Sequence, residues 1–286
     1  MTAAAEPHAL PRRRVRPLAR AWAFVRHHTI TVFGILALAY LMLPIAVVVV
    51  FSFNDPAGRY NYNWEGFTTE HWTDPFGPPF LGDAVATSIK IGLLATIVSV
   101  VLGTLVALAL VRYHFRGRGV ANLLIFVPLT APEIVLGASL LTLFLNLGTA
   151  LGFWTIVIAH IMFCISFVVI TVRARLVGFD RHIEEAAMDL GANEYVTFYR
   201  ITLPLIAPGI LAGALLAFSL SIDDFVITSF NSGTTETFPL YVWSQAQRGV
   251  PPEVNVIGTM IFGVAIVLML ANILFQWRRT PKGAHA

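Results

Sequence analysis

The chain alternates between long apolar runs and shorter polar stretches. Six runs stand out, at about 30–53, 84–111, 120–146, 151–172, 205–230 and 256–277. A helix needs roughly 20 apolar residues to cross a bilayer, and every run is long enough. In lipid each backbone N–H and C=O must find its partner within the chain, which makes helices the expected form. The runs lack the period-two alternation of barrel strands. The pattern therefore predicts an all-α polytopic membrane protein with six transmembrane helices. Some predicted spans carry breakers: Pro128 and Pro132 interrupt the third, and Pro208 lies near the start of the fifth. Each proline removes a backbone donor and kinks its helix. Gly209 and Gly213 form a small-xxx-small pair that lets a neighbouring helix come close.

Charge orients this pattern. Arg12, Arg13, Arg14, Arg16, Arg20 and Arg26 precede the first run, and Arg112, Arg116 and Arg118 follow the second. Arg173, Arg175, Arg181 and Arg200 follow the fourth, and Arg278, Arg279 and Lys282 follow the sixth. The alternate loops hold only Arg59 and Arg248. By the positive-inside rule both termini are cytoplasmic. Basic clusters also occur in nucleic-acid binders, but this alternation with apolar runs reads as topology and implies no nucleic-acid partner. Hydrophobic residues make up 57% of the chain and charged residues 12%, against about 25% charged in a soluble domain. The first run exceeds a signal-peptide core of roughly 7–15 residues, so it is expected to remain as a span. The expected organisation is a basic tail over 1–29, one membrane domain over 30–277 and a short tail over 278–286. The single cysteine, Cys164, lies inside the fourth run. It can form no internal disulfide and reads as a small buried side chain.

The polar stretch between the fourth and fifth runs, 173–204, is more elaborate than a tether needs. Asp180 is placed to cap a helix over about 181–190. Ile183, Ala186, Ala187 and Leu190 share one narrow face of that helix. Glu184, Glu185 and Asp189 fall on the other sides, available to a basic partner. Gly191 suits the left-handed position that ends a helix. Asn193 can cap a second short helix, which Pro204 stops before the next span begins. An ordinary amphipathic loop would share some of these features. Together they read as a surface built to receive a push from a soluble partner.

The spacing Glu185-Ala186-Ala187, three residues, Gly191, nine residues, then Ile201-x-Leu203-Pro204 resembles the coupling loop of ABC-importer permeases. Every fixed position of that pattern is present. The resemblance implies a type I ABC importer permease fold. It also implies that this loop docks in a cleft of an ATP-hydrolysing subunit, with Glu185 facing that subunit and Gly191 shaping the docking element. Whether the alanine stripe faces the partner or packs under the chain's own spans stays open.

Carboxylates inside apolar runs are costly, at roughly 2.5–3.5 kcal/mol for Asp at a helix centre. Glu133 in the third run, and Asp223 and Asp224 in the fifth, therefore ask for a reason. On straight helices Glu133 would lie roughly 20 Å and Asp223 roughly 27 Å from the cytoplasmic side. Both would then fall in the outer half. Adjacent aspartates differ by about 100° around a helix, so at most one points squarely at the pore. Carboxylates without metal-site companions suit an organic cation, such as a polyamine with ammonium ends on an apolar rod. The alternative is that Lys90, at similar depth, neutralises one aspartate. His160 reads as a buried histidine bonded to a neighbouring helix, or as a proton relay. The outer loops at about 54–83 and 231–255 add aromatics that suit cargo, a docked protein or the membrane interface, among them Tyr241 and Trp243.

The stretch Phe218-Ser219-Leu220-Ser221-Ile222-Asp223-Asp224-Phe225-Val226-Ile227 is similar to spermidine/putrescine importer permeases. So are Pro239-Leu240-Tyr241, Arg248-Gly249-Val250, Pro252-Glu253-Val254-Asn255 and Asn63-Trp64-Glu65-Gly66-Phe67. The likeness runs over about 30–277 and is to the second of the two permease subunits. It implies a sister permease, a homodimeric ATP-binding subunit and an extracytoplasmic polyamine-binding protein, assembled in a bacterial cytoplasmic membrane. The in-span carboxylates Glu133, Asp223 and Asp224, with Tyr241 and Trp243 of the outer loop, are the candidate substrate-pathway residues. ATP and magnesium would belong to the partner subunit. This chain has no Gly-x-x-x-x-Gly-Lys-Ser/Thr phosphate loop and is expected to carry no cofactor or metal. Two other functions compete with this one. An intramembrane aspartyl protease needs facing aspartates, and a serine hydrolase a Gly-x-Ser-x-Gly elbow; neither pattern is present. An ABC permease for ferric iron, thiamine, an opine or sulfate would share the coupling loop, but an anion carrier should show pore cations or helix N-termini.

Overall fold

The computed structural model describes residues 17–58, 60–178 and 180–279. The outer parts of both predicted tails, with Arg12, Arg13, Arg14, Arg16 and Lys282, lie outside the described residues, as does Arg59. In chain order the helices are α1 (Pro17–Phe51), α2 (Glu70–Thr73), α3 (Leu81–Arg112), α4 (Arg118–Thr130), α5 (Glu133–Asn146) and α6 (Phe153–Val177). They continue as α7 (His182–Asp189), α8 (Glu194–Thr197), a π-helical turn (Phe198–Thr202), α9 (Leu203–Asp223), α10 (Val226–Asn231), α11 (Phe238–Ala246) and α12 (Pro252–Arg279). Among the described residues four helices are long and apolar enough to cross a membrane, and α4 with α5 would make a fifth if they form one broken span. The predicted sixth run falls on α12, with an apolar stretch over Pro252–Val267.

Two predicted spans are not single helices. The third breaks between α4 and α5, whose axes differ by 111°. Pro132 has no N–H to give and disfavours helical geometry at the residue before it. Ala131 is accordingly extended, at φ −74° and ψ 139°. The straight-helix height expected for Glu133 does not survive, because Glu133 opens a new helix. The fifth span ends at Asp223, and Asp224 is extended at ψ 118° before α10 restarts. No proline or glycine marks that break.

The core is the meeting of α3, α6 and α9. Ala107, Cys164, Val168, Val172, Ile206 and Ala217 are fully buried there. Small residues set the spacing. A β-carbon on Gly209 would meet the Arg175 β-carbon at 2.7 Å, so only glycine allows α9 this close to α6. Cys164 is a packed core residue whose thiol faces the Ala217 carbonyl at 3.4 Å. α12 runs along α1, whose apolar residues Ile30, Phe33, Leu36 and Tyr40 all point away from the bundle. The loop after α1 is tied by buried Asn54, which bonds Asn61 Oδ1 at 2.6 Å and the Asn63 carbonyl at 2.7 Å.

Candidate functional site

Two places in the bundle carry chemistry, and α9 joins them. At its first end lies the segment between the fourth and fifth apolar runs that resembles a coupling loop. The Asp180 carboxylate accepts from the His182 N–H at 3.0 Å and so ties down the first residue of α7, but the helix begins one residue later than predicted and its cap position is Arg181, not Asp180. Gly191 ends it at φ +91°, with open space around its missing β-carbon. The demand for glycine there is purely conformational. Asn193 caps α8, accepting from the Val196 N–H at 2.9 Å. Ile183, Ala186 and Leu190 are exposed, Leu190 at 90%, and Ala187 is half-buried. The stripe therefore faces away from the bundle, which answers the question left open by the sequence. Exposed Tyr195 and Tyr199 extend the surface.

Two expectations for this segment need correction. Glu184 is not available to a partner: it is 5% exposed. It accepts from the Arg112 guanidinium and the Thr202 hydroxyl. Only Glu185 of the pair is exposed, with its carboxylate 3.2 Å from His182 Nδ1. Pro204 does not stop the second short helix either. Residues Glu194–Asp223 form one helical run. Pro204 cannot donate to the Arg200 carbonyl, and the run accommodates this with a π turn, in which the Leu203 N–H bonds the Phe198 carbonyl. Ile201 and Leu203 are half-buried and Pro204 is exposed at the start of α9.

The other end of α9 lies about 30 Å away at 1.5 Å per residue. There the adjacent aspartates part company. Asp224 is 8% exposed and His160 2%. The Asp224 carboxylate accepts from the Thr228 N–H at 2.7 Å, the Thr228 hydroxyl at 2.8 Å and the Ile227 N–H at 3.3 Å. His160 Nε2 lies 3.3 Å from it and 2.9 Å from the Thr228 hydroxyl, while Nδ1 meets the Ser221 hydroxyl at 2.6 Å. This knot satisfies the backbone freed at the break and joins α6, α9 and α10. The partner of Asp224 is thus His160, not Lys90, which is exposed. Read from the sequence as a pathway residue, Asp224 is instead placed with its carboxylate inside the bundle and bonded on several sides.

Asp223 is exposed. It lines an open cleft of about 440 Å³ whose walls include Phe225, Phe238, Val242 and Trp243. Trp243 is 57% exposed, its ring 5.2 Å from that of Phe225. Exposed Glu133 opens α5, which packs on α10, within electrostatic reach of Asp223. Tyr241 is the second correction at this end. It is 2% exposed and packs on Leu81, Ala84, Val254 and Ile257, away from the cleft. Among the described residues no group of three or more His, Cys, Asp or Glu side chains could hold a metal ion. Phe225, Phe238 and Val242 were not anticipated. The Ser221–Asp224–Thr228 spacing of three and four, one helical face, was the available signal for the knot.

Residues 99–279 match the family described as binding-protein-dependent transport system inner membrane component. The spermidine/putrescine transport system permease protein PotC of Escherichia coli (strain K12) is 41% identical over 243 residues, 85% of this chain and 91% of that protein. The putrescine transport system permease protein PotI of the same strain is 40% identical over 247 residues, covering 83% and 87%. A chain of the crystal structure of a bacterial ABC transporter that imports the acidic polysaccharide alginate superposes with a TM-score of 0.63. It covers 93% of this chain and 99% of that one at 18% identity, which speaks for the fold alone.

Proposed function

The chain belongs to the family of binding-protein-dependent transport system inner membrane components, and from that membership we propose that it is the permease subunit through which an ABC importer passes polyamines. One observation carries the cargo: the exposed carboxylate of Asp223 stands in an open cleft walled by Phe225, Phe238, Val242 and Trp243. A polyamine is a methylene rod with ammonium ends. Asp223 bonds an ammonium, and the aromatic faces hold methylenes or cations. The C-terminal end of α9 adds partial negative charge at the same place, and Glu133 adds a second carboxylate. The names of the 40–41% identical relatives, which specify spermidine and putrescine, support the same cargo.

The remaining parts rest on the family membership. The resemblance to ABC-importer permeases supports a separate homodimeric subunit as the site of ATP hydrolysis. That subunit receives α7 through Glu185, Ala186, Ala187 and the Gly191 bend, while Ile201, Leu203 and Pro204 lead the motion into α9. The arginine distribution supports a cytoplasmic coupling segment and cytoplasmic termini, with the Asp223 cleft on the outer side. A sister permease completes the pore, and an extracytoplasmic binding protein delivers cargo and carries most of the selectivity. Nucleotide-driven closure rocks the two permeases between outward and inward access. Radiolabelled spermidine and putrescine uptake, in a strain lacking this chain and in the complemented strain, tests the proposal. Restored polyamine uptake is expected. Restored uptake of sulfate, thiamine or ferric iron without polyamine uptake would overturn the cargo assignment.

A further inference from the structure

We propose that Glu184 is a positioning residue that bolts the coupling helix to two spans at once, so that a displacement of α7 moves α3 and α9 as one body. This rests on the reading of α7 as the docking element. Glu184 is the one buried residue of α7; the rest of that helix is exposed or half-buried. Its carboxylate accepts from the guanidinium of Arg112, the last residue of α3, and from the hydroxyl of Thr202 in the π turn. Arg112 Nη2 also reaches the Thr202 hydroxyl at 3.4 Å, which closes a triangle. Three chain elements meet in that one set of bonds, and Arg112 of α3 lies 72 residues from Glu184 in sequence.

The charges sit where the helices favour them. Arg112 lies at the negative end of α3 and Glu184 in the positive first turn of α7. A carboxylate this enclosed is tolerated only when paired and hydrogen-bonded. A charged, directional contact also differs from an alanine face, which can slide. The triangle fixes both the distance and the rotation of α7 relative to α3. Thr202 lies in a π turn, a helical form that recurs at functional sites. Without the triangle, α7 can follow the motor while the spans stay behind. The complex then hydrolyses ATP without importing.

The test uses the complete importer in liposomes with its binding protein, with ATP hydrolysis and polyamine uptake measured on the same sample. Glu184→Gln is expected to keep the ATPase subunit bound and hydrolysis within about twofold, while uptake per ATP falls about tenfold. The double variant Arg112→Glu/Glu184→Arg is expected to recover part of that loss, because it restores the pair. Thr202→Val, which removes only one hydroxyl, is expected to lower uptake per ATP about threefold. A purely structural role would reduce the amount of assembled complex and leave uptake per ATP unchanged. That result in Glu184→Gln overturns the proposal, and should that variant fail to assemble, the same result in Thr202→Val overturns it. Cross-linking from Leu190→Cys to the ATPase subunit separates the two levels of failure. No cross-link in an otherwise unmodified chain defeats the docking reading itself. A cross-link together with unchanged uptake per ATP defeats only the bolt.

Discussion

Glu184–Glu185 on α7 and Asp223–Asp224 at the end of α9 are both pairs of neighbouring carboxylates, one at each functional end of the bundle. Each pair is divided in the same way. Glu184 is enclosed by Arg112 and Thr202, and Asp224 by His160 and Thr228. Glu185 and Asp223 face outward. Successive residues point about 100° apart on a helix, which sends Glu184 in and Glu185 out on α7; at Asp224 the backbone break turns the carboxylate into the bundle while Asp223 stays outside. The inward acid holds the local structure, and on the proposed function the outward one meets what binds. The ends differ in what surrounds the outward acid. Glu185 stands on an open surface beside Ile183 and Leu190, suited to a protein partner. Asp223 stands in a cleft with aromatic walls, suited to a small cation.

The largest effects should come from the inward members. Asp224→Ala strands the Thr228 and Ile227 N–H groups and the Thr228 hydroxyl and removes the partner of His160. Unsatisfied buried groups cost about 1–3 kcal/mol each, and a total of about 3 kcal/mol is a large share of a protein's stability. Thermal unfolding of the detergent-solubilised complex should show a clear fall in Tm and a reduced yield. Asp223→Ala should leave both near the parent values. Equal Tm losses in the two variants would mean that the pair is not divided.

Next is the outward acid at the coupling end. Glu185→Arg reverses a charge on the proposed docking surface without touching the Glu184 triangle. Polyamine-stimulated ATP hydrolysis should fall to background while Tm stays within the range of the parent. Normal ATP-driven uptake in this variant would contradict the docking role. A fall in Tm to match Asp224→Ala would show that Glu185 is structural after all.

Much of the scaffold was legible in the sequence, because run length and breakers are local signals. The six runs fall on helices, and the break at Pro132, the turn at Gly191 and the cap at Asn193 all lie where residue chemistry puts them. The break at Asp224 was not legible. It is made by a side chain taking over backbone donors, with no proline or glycine to mark it. Nor could the sequence assign the members of each acid pair. Burial depends on which face meets a helix some 70 residues away, as Arg112 meets Glu184. Tyr241 and Trp243 show the same limit: two residues apart on α11, one packs in the core and the other borders the cleft.

The smallest effects should come from the cleft, and they sharpen the difference between its charge and its walls. If a binding protein sets the affinity for cargo, cleft variants should change the maximal rate of uptake and leave the half-saturating concentration alone. Asp223→Asn removes a charge-assisted bond of about 1.5–3 kcal/mol and should lower the maximal rate about tenfold, without affecting Tm. Trp243→Ala removes one exposed aromatic face, worth about 0.5–1 kcal/mol to a cation, and should lower the rate about threefold. Trp243→Phe keeps a ring face and should stay closer to the parent than Trp243→Ala. Should Trp243→Ala match the parent while Asp223→Asn does not, the carboxylate alone recognises the cargo and the aromatic wall is only an outer-interface anchor. Should both transport normally, the cleft is not on the pathway, and Glu133 becomes the acid to test in its place.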